Sequence, residues 1–248
     1  MGNRSSYALG IEHLTVSFDG FKAVDDLTFY VEQHEVRVVI GPNGAGKTTL
    51  LDLICGKTRA TGGSVMFKNQ ELLGKAEQNI VKMGVSRKFQ TPSIYPKLTV
   101  FENLELSHPT GRTVMGSLFF ARTAEIKNRV EEVAREIYLA DMLHTRGELL
   151  SHGQKQWLEI GMLLIADPEL VMLDEPVAGM SVRERQQTAE LLRRICSGRV
   201  VLVIEHDMNF VREIAHKVTV MHQGKLLAEG SMDEVQNNEK VIEVYLGH

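Results

Sequence analysis

The sequence predicts an α/β fold with a core of parallel strands, an N-terminal antiparallel β region and a helical insert. Three observations carry that reading. A β-branched strand, Glu35 to Ile40, runs straight into a glycine-rich turn, "GPNGAGKT". A second apolar strand, Leu170 to Leu173, ends in the acidic pair Asp174 and Glu175. Between them, from about Thr91 to Ala166, apolar residues recur at helical spacing instead of alternating.

Taken in order, "GIEHLTVSF" (Gly10 to Phe18) and "DLTFYVE" (Asp26 to Glu32) alternate apolar and polar residues, as half-buried antiparallel strands do. The helix after the glycine turn starts near Gly46 and stops at Gly56, a glycine placed to end it. "GGSVMFKNQEL" (Gly62 to Leu72) is a further strand between turn signals. In the insert, Ile126, Val130, Val133 and Ile137 share one helix face. "SHPTGRTVMGSLFF" (Ser107 to Phe120) fits either a loop or a short helix. "ELVMLDE" and "RVVLVIEH" are buried strands with a helical stretch, "VRERQQTAELLRRI", between them, as a parallel crossover requires. "KVTVMHQGKLLAEG" reads as a hairpin turning at Gln223–Gly224.

Of the 248 residues 43% are hydrophobic and 24% charged, enough apolar content for a sizeable core. A net charge of −4 gives no ground for nucleic-acid binding. Cys55 and Cys196 belong to no CxxC pair and read as reduced core residues of a cytosolic protein. The first residues lack the apolar stretch of a signal peptide, and no apolar run approaches the roughly 20 residues that span a bilayer. The expectation is a soluble chain, or one that meets a membrane only through a partner.

The glycine turn carries the chemistry. Gly41, Pro42, Asn43, Gly44, Ala45, Gly46, Lys47 and Thr48 match G-x-x-x-x-G-K-[ST], after a strand and before a helix. Glycines let backbone N–H groups turn inward around an anion, and the helix start adds partial positive charge. Lys47 supplies a point charge for the β- and γ-phosphates, the Thr48 hydroxyl a ligand for Mg²⁺, and Thr49 a contact to the α-phosphate. Asp174 and Glu175 emerge at the C-terminal edge of their strand, where open α/β sheets bind ligands. Asp174 is then the metal carboxylate and Glu175 the general base for an attacking water. His206 ends "VVLVIEH" at the same edge, as a phosphate donor, a water-orienting group or a plain cap of a strand–helix junction.

One stretch resists a purely structural account. Ser151, His152, Gly153 and Gln154 have the S-x-x-Q form of a capping box, heading a helix whose apolar face is Trp157, Leu158, Ile160, Leu164 and Ile165 and which stops before Pro168. A capping serine, a glycine and a helix start also make a second anion site. One nucleotide does not need two; two copies arranged head to tail would use the Ser151 end of one to close the Lys47 end of the other.

The ordered set "GPNGAGKTT", Gln90 in "SRKFQTPSIYP", "LSHGQ", "LVMLDEP" and His206 in "VIEHD" resembles the P-loop, Q-loop, signature, Walker B and H-loop of the ATP-binding subunits of ABC transporters, over nearly the whole chain. The resemblance implies a P-loop NTPase (RecA-like) core over 1–90 and 167–248, with a helical signature subdomain at 91–166. It implies an ATPase using ATP and Mg²⁺, with Glu175, His206 and Gln90 in catalysis and Thr48, Gln90 and Asp174 at the metal. Ser151, Gly153 and Gln154 would reach the nucleotide of a second ATP-binding subunit. An aromatic should stack on adenine, and Phe18 stands at about the family's spacing before Gly41, with Phe21 the alternative. Transmembrane permease subunits would dock near Gln90 to Leu104, at the cytoplasmic face of a bacterial inner membrane, with a periplasmic binding protein as indirect partner.

Two departures stand out. His152 replaces the first glycine of LSGGQ, either as a pH-sensitive contact or pointing away from the phosphate; and "AGMS" (Ala178 to Ser181) lacks the aspartate common in that loop. "RKFQTPSIYPKLTVFENL" and "AEGSMDEVQNNEKVIEVYLG" are similar to importers of the branched-chain amino acid type, and "LSHGQKQWLEIGMLL" is most similar to urea-importer subunits. The expected cargo is therefore urea or a short amide. The alternatives are a branched-chain amino acid importer and an exporter of the lipopolysaccharide type. A small-molecule kinase would share the glycine loop but have no use for "LSHGQ" or His206.

Overall fold

The computed structural model describes residues 7–88, 94–109 and 123–246. They divide into two compact units, one formed by 1–87, 169–176 and 192–248, the other by 88–168 and 177–191.

The first unit holds two sheets. β1 (Tyr7–Phe18), β2 (Phe21–Glu32), β4 (Gly62–Phe67) and β5 (Gln70–Glu71) form an antiparallel sheet in the order β2-β1-β4-β5. β3 (Val36–Ile40), β6 (Val85–Arg87), β7 (Leu170–Asp174), β8 (Val200–Ile204), β9 (Lys217–His222) and β10 (Lys225–Gly230) form the second, in the order β10-β9-β3-β8-β7-β6. Its neighbours are parallel except for β9–β10, the hairpin expected at Gln223–Gly224; both turn residues have positive φ, 48° and 78°. β3, β7 and β8 are buried at every position, which is why, Arg37 and Asp174 apart, they read as apolar runs.

The helix α1 (Lys47–Ile54) supplies Leu50, Leu51, Leu53 and Ile54 to a single apolar cluster that takes in residues of both sheets. Gly56, at φ 79°, follows its last turn, as expected from sequence. β3 carries one cation inside this core. Arg37 has no exposed surface, and it is tolerated because every face of the guanidinium is engaged. Its Nε donates to Glu35, Nη2 to the Tyr30 carbonyl at 2.7 Å, and Nη1 to Thr219 at 2.9 Å and to Glu229. α2 (Glu77–Lys82), α7 (Met208–Ile214), α8 (Met232–Gln236) and α9 (Glu239–Leu246) complete this unit.

The second unit is helical. α3 (Val100–Ser107), α4 (Ala124–Glu136) and α5 (His152–Leu164) pack pairwise, and each starts on a hydroxyl cap: Thr99, Thr123 and Ser151. Ile126, Val130, Val133 and Ile137 are all buried, as their spacing predicts. A Cβ on Gly161 would meet Ile137 Cδ1 at 2.5 Å, so this glycine lets α5 approach closely. A buried ion pair, Lys88 Nζ to Glu159 Oε2 at 3.1 Å, joins the start of the unit to α5. The first part of α6 (Val182–Cys196) belongs here too; its Thr188 accepts the Trp157 indole N–H at 2.9 Å. The stretch left open between loop and helix, Ser107 to Phe120, begins as the end of α3, and its residues 110–120 lie outside the described residues. No helix among the described residues is long and apolar enough to cross a membrane.

Candidate nucleotide site

The glycine turn sits at the C-terminal end of β3. Gly46 precedes α1 at φ 98°, a conformation L side chains rarely adopt, and a Cβ there would lie 2.3 Å from the Ala23 carbonyl oxygen. The turn is thus held against β2, and its geometry is fixed before any ligand enters. Lys47 folds back over the loop, its Nζ donating to the carbonyls of Gly41 at 2.7 Å and Pro42 at 3.0 Å. Burial pushes the Lys47 pKa down, against the opposing charges of Glu175 and Asp174. Those two backbone carbonyls are weaker partners than a phosphate oxygen, so the ammonium has a strong reason to turn outward when one arrives.

Two strands away, Asp174 ends β7 almost fully buried. The Thr48 hydroxyl donates to its Oδ2 at 3.3 Å, which brings the two expected metal oxygens together. Burial pushes the Asp174 pKa up, opposed first by Arg87. Arg87, at the end of β6, lies with Nη2 3.9 Å from Asp174 Oδ2, while its Nη1 donates to Asp52 of α1 and contacts Cys55 Sγ at 3.5 Å. A buried guanidinium therefore joins the strand that ends in Asp174 to the helix of the glycine turn. Sequence reasoning did not single out Arg87, because a three-residue strand is too short to show a period.

Glu175 follows at φ 48°, in the left-handed region that a non-glycine residue occupies at a cost of about 1–3 kcal/mol. Its N–H is held by the Ile204 carbonyl at 2.9 Å, so the strain is imposed by the sheet, and the chain turns out of the strand at this residue. His206 Nδ1 is 3.4 Å from Glu175 Oε1. The buried Glu205 carboxylate accepts the His206 and Asp207 N–H groups at 2.9 and 3.3 Å, fixing the backbone that presents the imidazole. Phe18 and Phe21 face each other across the β1–β2 turn, and Phe21 is the more exposed, 66% against 49%.

Ser151, Gly153 and Gln154 lie in the second unit. Ser151 Oγ accepts the Gln154 N–H at 3.2 Å, and Gln154 Oε1 accepts the Ser151 N–H at 2.9 Å, the reciprocal capping box read from S-x-x-Q. His152 Nε2 lies 2.9 Å from the Ala178 carbonyl, which can only accept; the ring proton is on that nitrogen. Gln90 lies outside the described residues.

A phosphate-cradling turn, an acidic strand end beside its threonine and a histidine at the next strand define a P-loop nucleotide hydrolase. Comparison with known proteins narrows the class. Residues 24–178 match the family described as "ABC transporter", and residues 225–248 match the "Branched-chain amino acid ATP-binding cassette transporter" family. The chain is similar to the high-affinity branched-chain amino acid transport ATP-binding protein LivG of Escherichia coli, 34% identical over 96% of this chain and 97% of that one. It is similar to BraF of Pseudomonas aeruginosa, which carries the same description, at 33% over the same shares. Among solved structures, an ATP-binding cassette of an ABC transporter in its ADP conformation superposes with a TM-score of 0.87 at 30% identity, over 98% of this chain and 99% of that one. A nucleotide-free cassette gives 0.85 at 29%, over 98% and 100%.

The chain belongs to the ATP-binding subunits of ABC transporters, and it is of the branched-chain amino acid transporter type. It is an ABC-type ATPase that uses ATP with Mg²⁺. These relatives favour the branched-chain amino acid alternative over the urea cargo expected from the signature region.

Proposed function

We propose that this chain powers a membrane importer for branched-chain amino acids, docking on permease subunits at the inner face of the membrane that receive cargo from a periplasmic binding protein. The observation that carries the proposal is similarity to branched-chain amino acid transport subunits along 96% of the chain. The loop 94–99 suits a docking role. Buried Asn103 accepts the Tyr95 N–H at 2.7 Å and donates to the Tyr95 and Thr99 carbonyls at 3.1 and 2.9 Å, holding the loop while Tyr95 itself stays 54% exposed.

In this reading the N–H groups of Gly41 to Thr49 and the Lys47 ammonium hold the phosphates, and Phe18 or Phe21 stacks on the base. The Thr48 hydroxyl and the Asp174 carboxylate form a compact all-oxygen pair suited to Mg²⁺, a cation that keeps water and substrate oxygens as its other ligands. When bound, Mg²⁺ draws charge from the β- and γ-phosphates. Glu175 Oε1 takes the proton of the attacking water, His206 beside it steadies that carboxylate, and Gln90 contacts metal and water. Ser151, Gly153 and Gln154 close the nucleotide of a second copy or of a related subunit. Loss of the γ-phosphate removes the contacts shared by both halves, and the pair opens because only its differential affinity held it closed.

A urea or short-amide cargo is the second reading, favoured by "LSHGQKQWLEIGMLL" with its unusual His152. Uptake decides between them. The permease complex reconstituted in vesicles with ATP inside should accumulate labelled leucine, and Glu175→Gln should abolish that uptake. Accumulation of urea without leucine would overturn the proposal.

A further inference from the structure

Ser151 has one hydroxyl proton, and in this chain it is already committed. Ser151 Oγ donates to Glu184 Oε1 at 3.2 Å. The other oxygen of that carboxylate, Oε2, accepts the Ser181 N–H at 2.9 Å and the Ser181 hydroxyl at 2.8 Å. A Cβ on Gly153 would fall 2.3 Å from Glu184 Oε1, so the carboxylate fills the space directly over the Gly153 backbone. An anion therefore stands at the head of α5, on the same serine and glycine that the proposed function gives to a partner's nucleotide.

We propose that Glu184 is a built-in competitor for that terminal phosphoryl group: its carboxylate holds the Ser151 hydroxyl in the lone subunit and must release it before a second copy's ATP can bind there. The proposal rests on the shared-nucleotide reading above. A hydroxyl donates to one acceptor at a time. Two anions cannot occupy the same few ångströms without repulsion. The exchange is also small. Glu184 is half-buried, and yielding Ser151 breaks one bond, the longest of its three, while both bonds to Ser181 stay. Those bonds cap the first turn of α6, where the Glu184 N–H returns a bond to Ser181 Oγ at 3.3 Å, so the competitor is anchored.

His152 reinforces the arrangement. Its Nε2–H bond to the Ala178 carbonyl ties the residue after Ser151 to the stretch that carries Glu184. The first glycine of LSGGQ has no side chain for such a bond. The start of α5 and residues 178–184 are thus held together at two points, and only the one through Ser151 lies in the path of a phosphate.

The test uses the full chain carrying Glu175→Gln, which arrests hydrolysis, and measures ATP-dependent dimerisation by sedimentation velocity. Glu184→Gln added to that background keeps the acceptor Ser181 needs and removes the charge. It should tighten the dimer by about 3- to 10-fold, and the gain should vanish when Ser151 is also alanine. Glu184→Asp, one methylene shorter, withdraws the carboxylate from Ser151 while retaining a cap; it should tighten the dimer by a smaller factor and decides the matter if the glutamine variant melts early. A dimer that forms with ATP but is unchanged or weakened by both substitutions overturns this inference and leaves the shared nucleotide intact. A Glu175→Gln chain that stays monomeric with ATP overturns both.

Discussion

The two ends of this chain proposed to bind anions are built on opposite terms. The end in the core unit is internally paired: Asp174 is almost inaccessible, Arg87 compensates it and Asp52, and the glycine turn is pressed against β2. The end in the helical unit is exposed, and its serine, histidine and helix start are occupied by Glu184 and Ala178 of the same chain. At the core end the backbone is set on folding, and Lys47 has to leave only two weak carbonyl partners of its own loop when a phosphate arrives. A site whose groups are satisfied at home must give up contacts to act, so it engages only when a second molecule offers better ones. In the proposed function this difference gives binding to the single chain and closure to the pair.

Removing Arg87 tests the first half of that comparison most severely. Arg87→Leu leaves buried Asp174 without its guanidinium and Asp52 with the longer 3.7 Å pairing to Lys57, and should cost about 3–5 kcal/mol of stability by urea unfolding. A loss under about 1 kcal/mol would show that the core site does not depend on internal pairing. Lys47→Ala spares the fold, since the ammonium bonds only its own loop, but should weaken ATP binding by about 2–3 kcal/mol, near 100-fold by calorimetry. Ser151→Ala is the mildest. Losing the cap should cost about 1 kcal/mol in thermal unfolding. ATP affinity of the monomer should not change, and ATP-driven dimerisation should fall. Equal losses in both would erase the distinction between the two ends.

How much of this was legible in the chain differs by region. The strands β3, β7 and β8 and the helix α1 were readable because largely apolar runs and glycine punctuation report burial locally. The capping box at Ser151 was readable for the same reason: its two bonds span three residues. β6 was not, being three residues long and dependent for its pairing on β7, distant in sequence; and the single strand expected over Gly62 to Leu72 is two, β4 and β5, folded on each other at the positive-φ pair Lys68 and Asn69. Arg87 escaped notice with β6. Glu184 is one charge among several in its helix, and nothing within "VRERQQ" shows that it reaches a serine 33 residues earlier.

By itself the sequence determined the ATPase class, because glycine, lysine and threonine at fixed local offsets after a strand, and an acidic pair at a second strand's end, are patterns that neighbouring residues carry alone. Tertiary structure alone decided which groups those residues answer to before nucleotide arrives. Charge compensation and competition act through space, and the contacts of Arg87 with Asp174 and of Glu184 with Ser151 exist only once segments far apart in the chain have packed together.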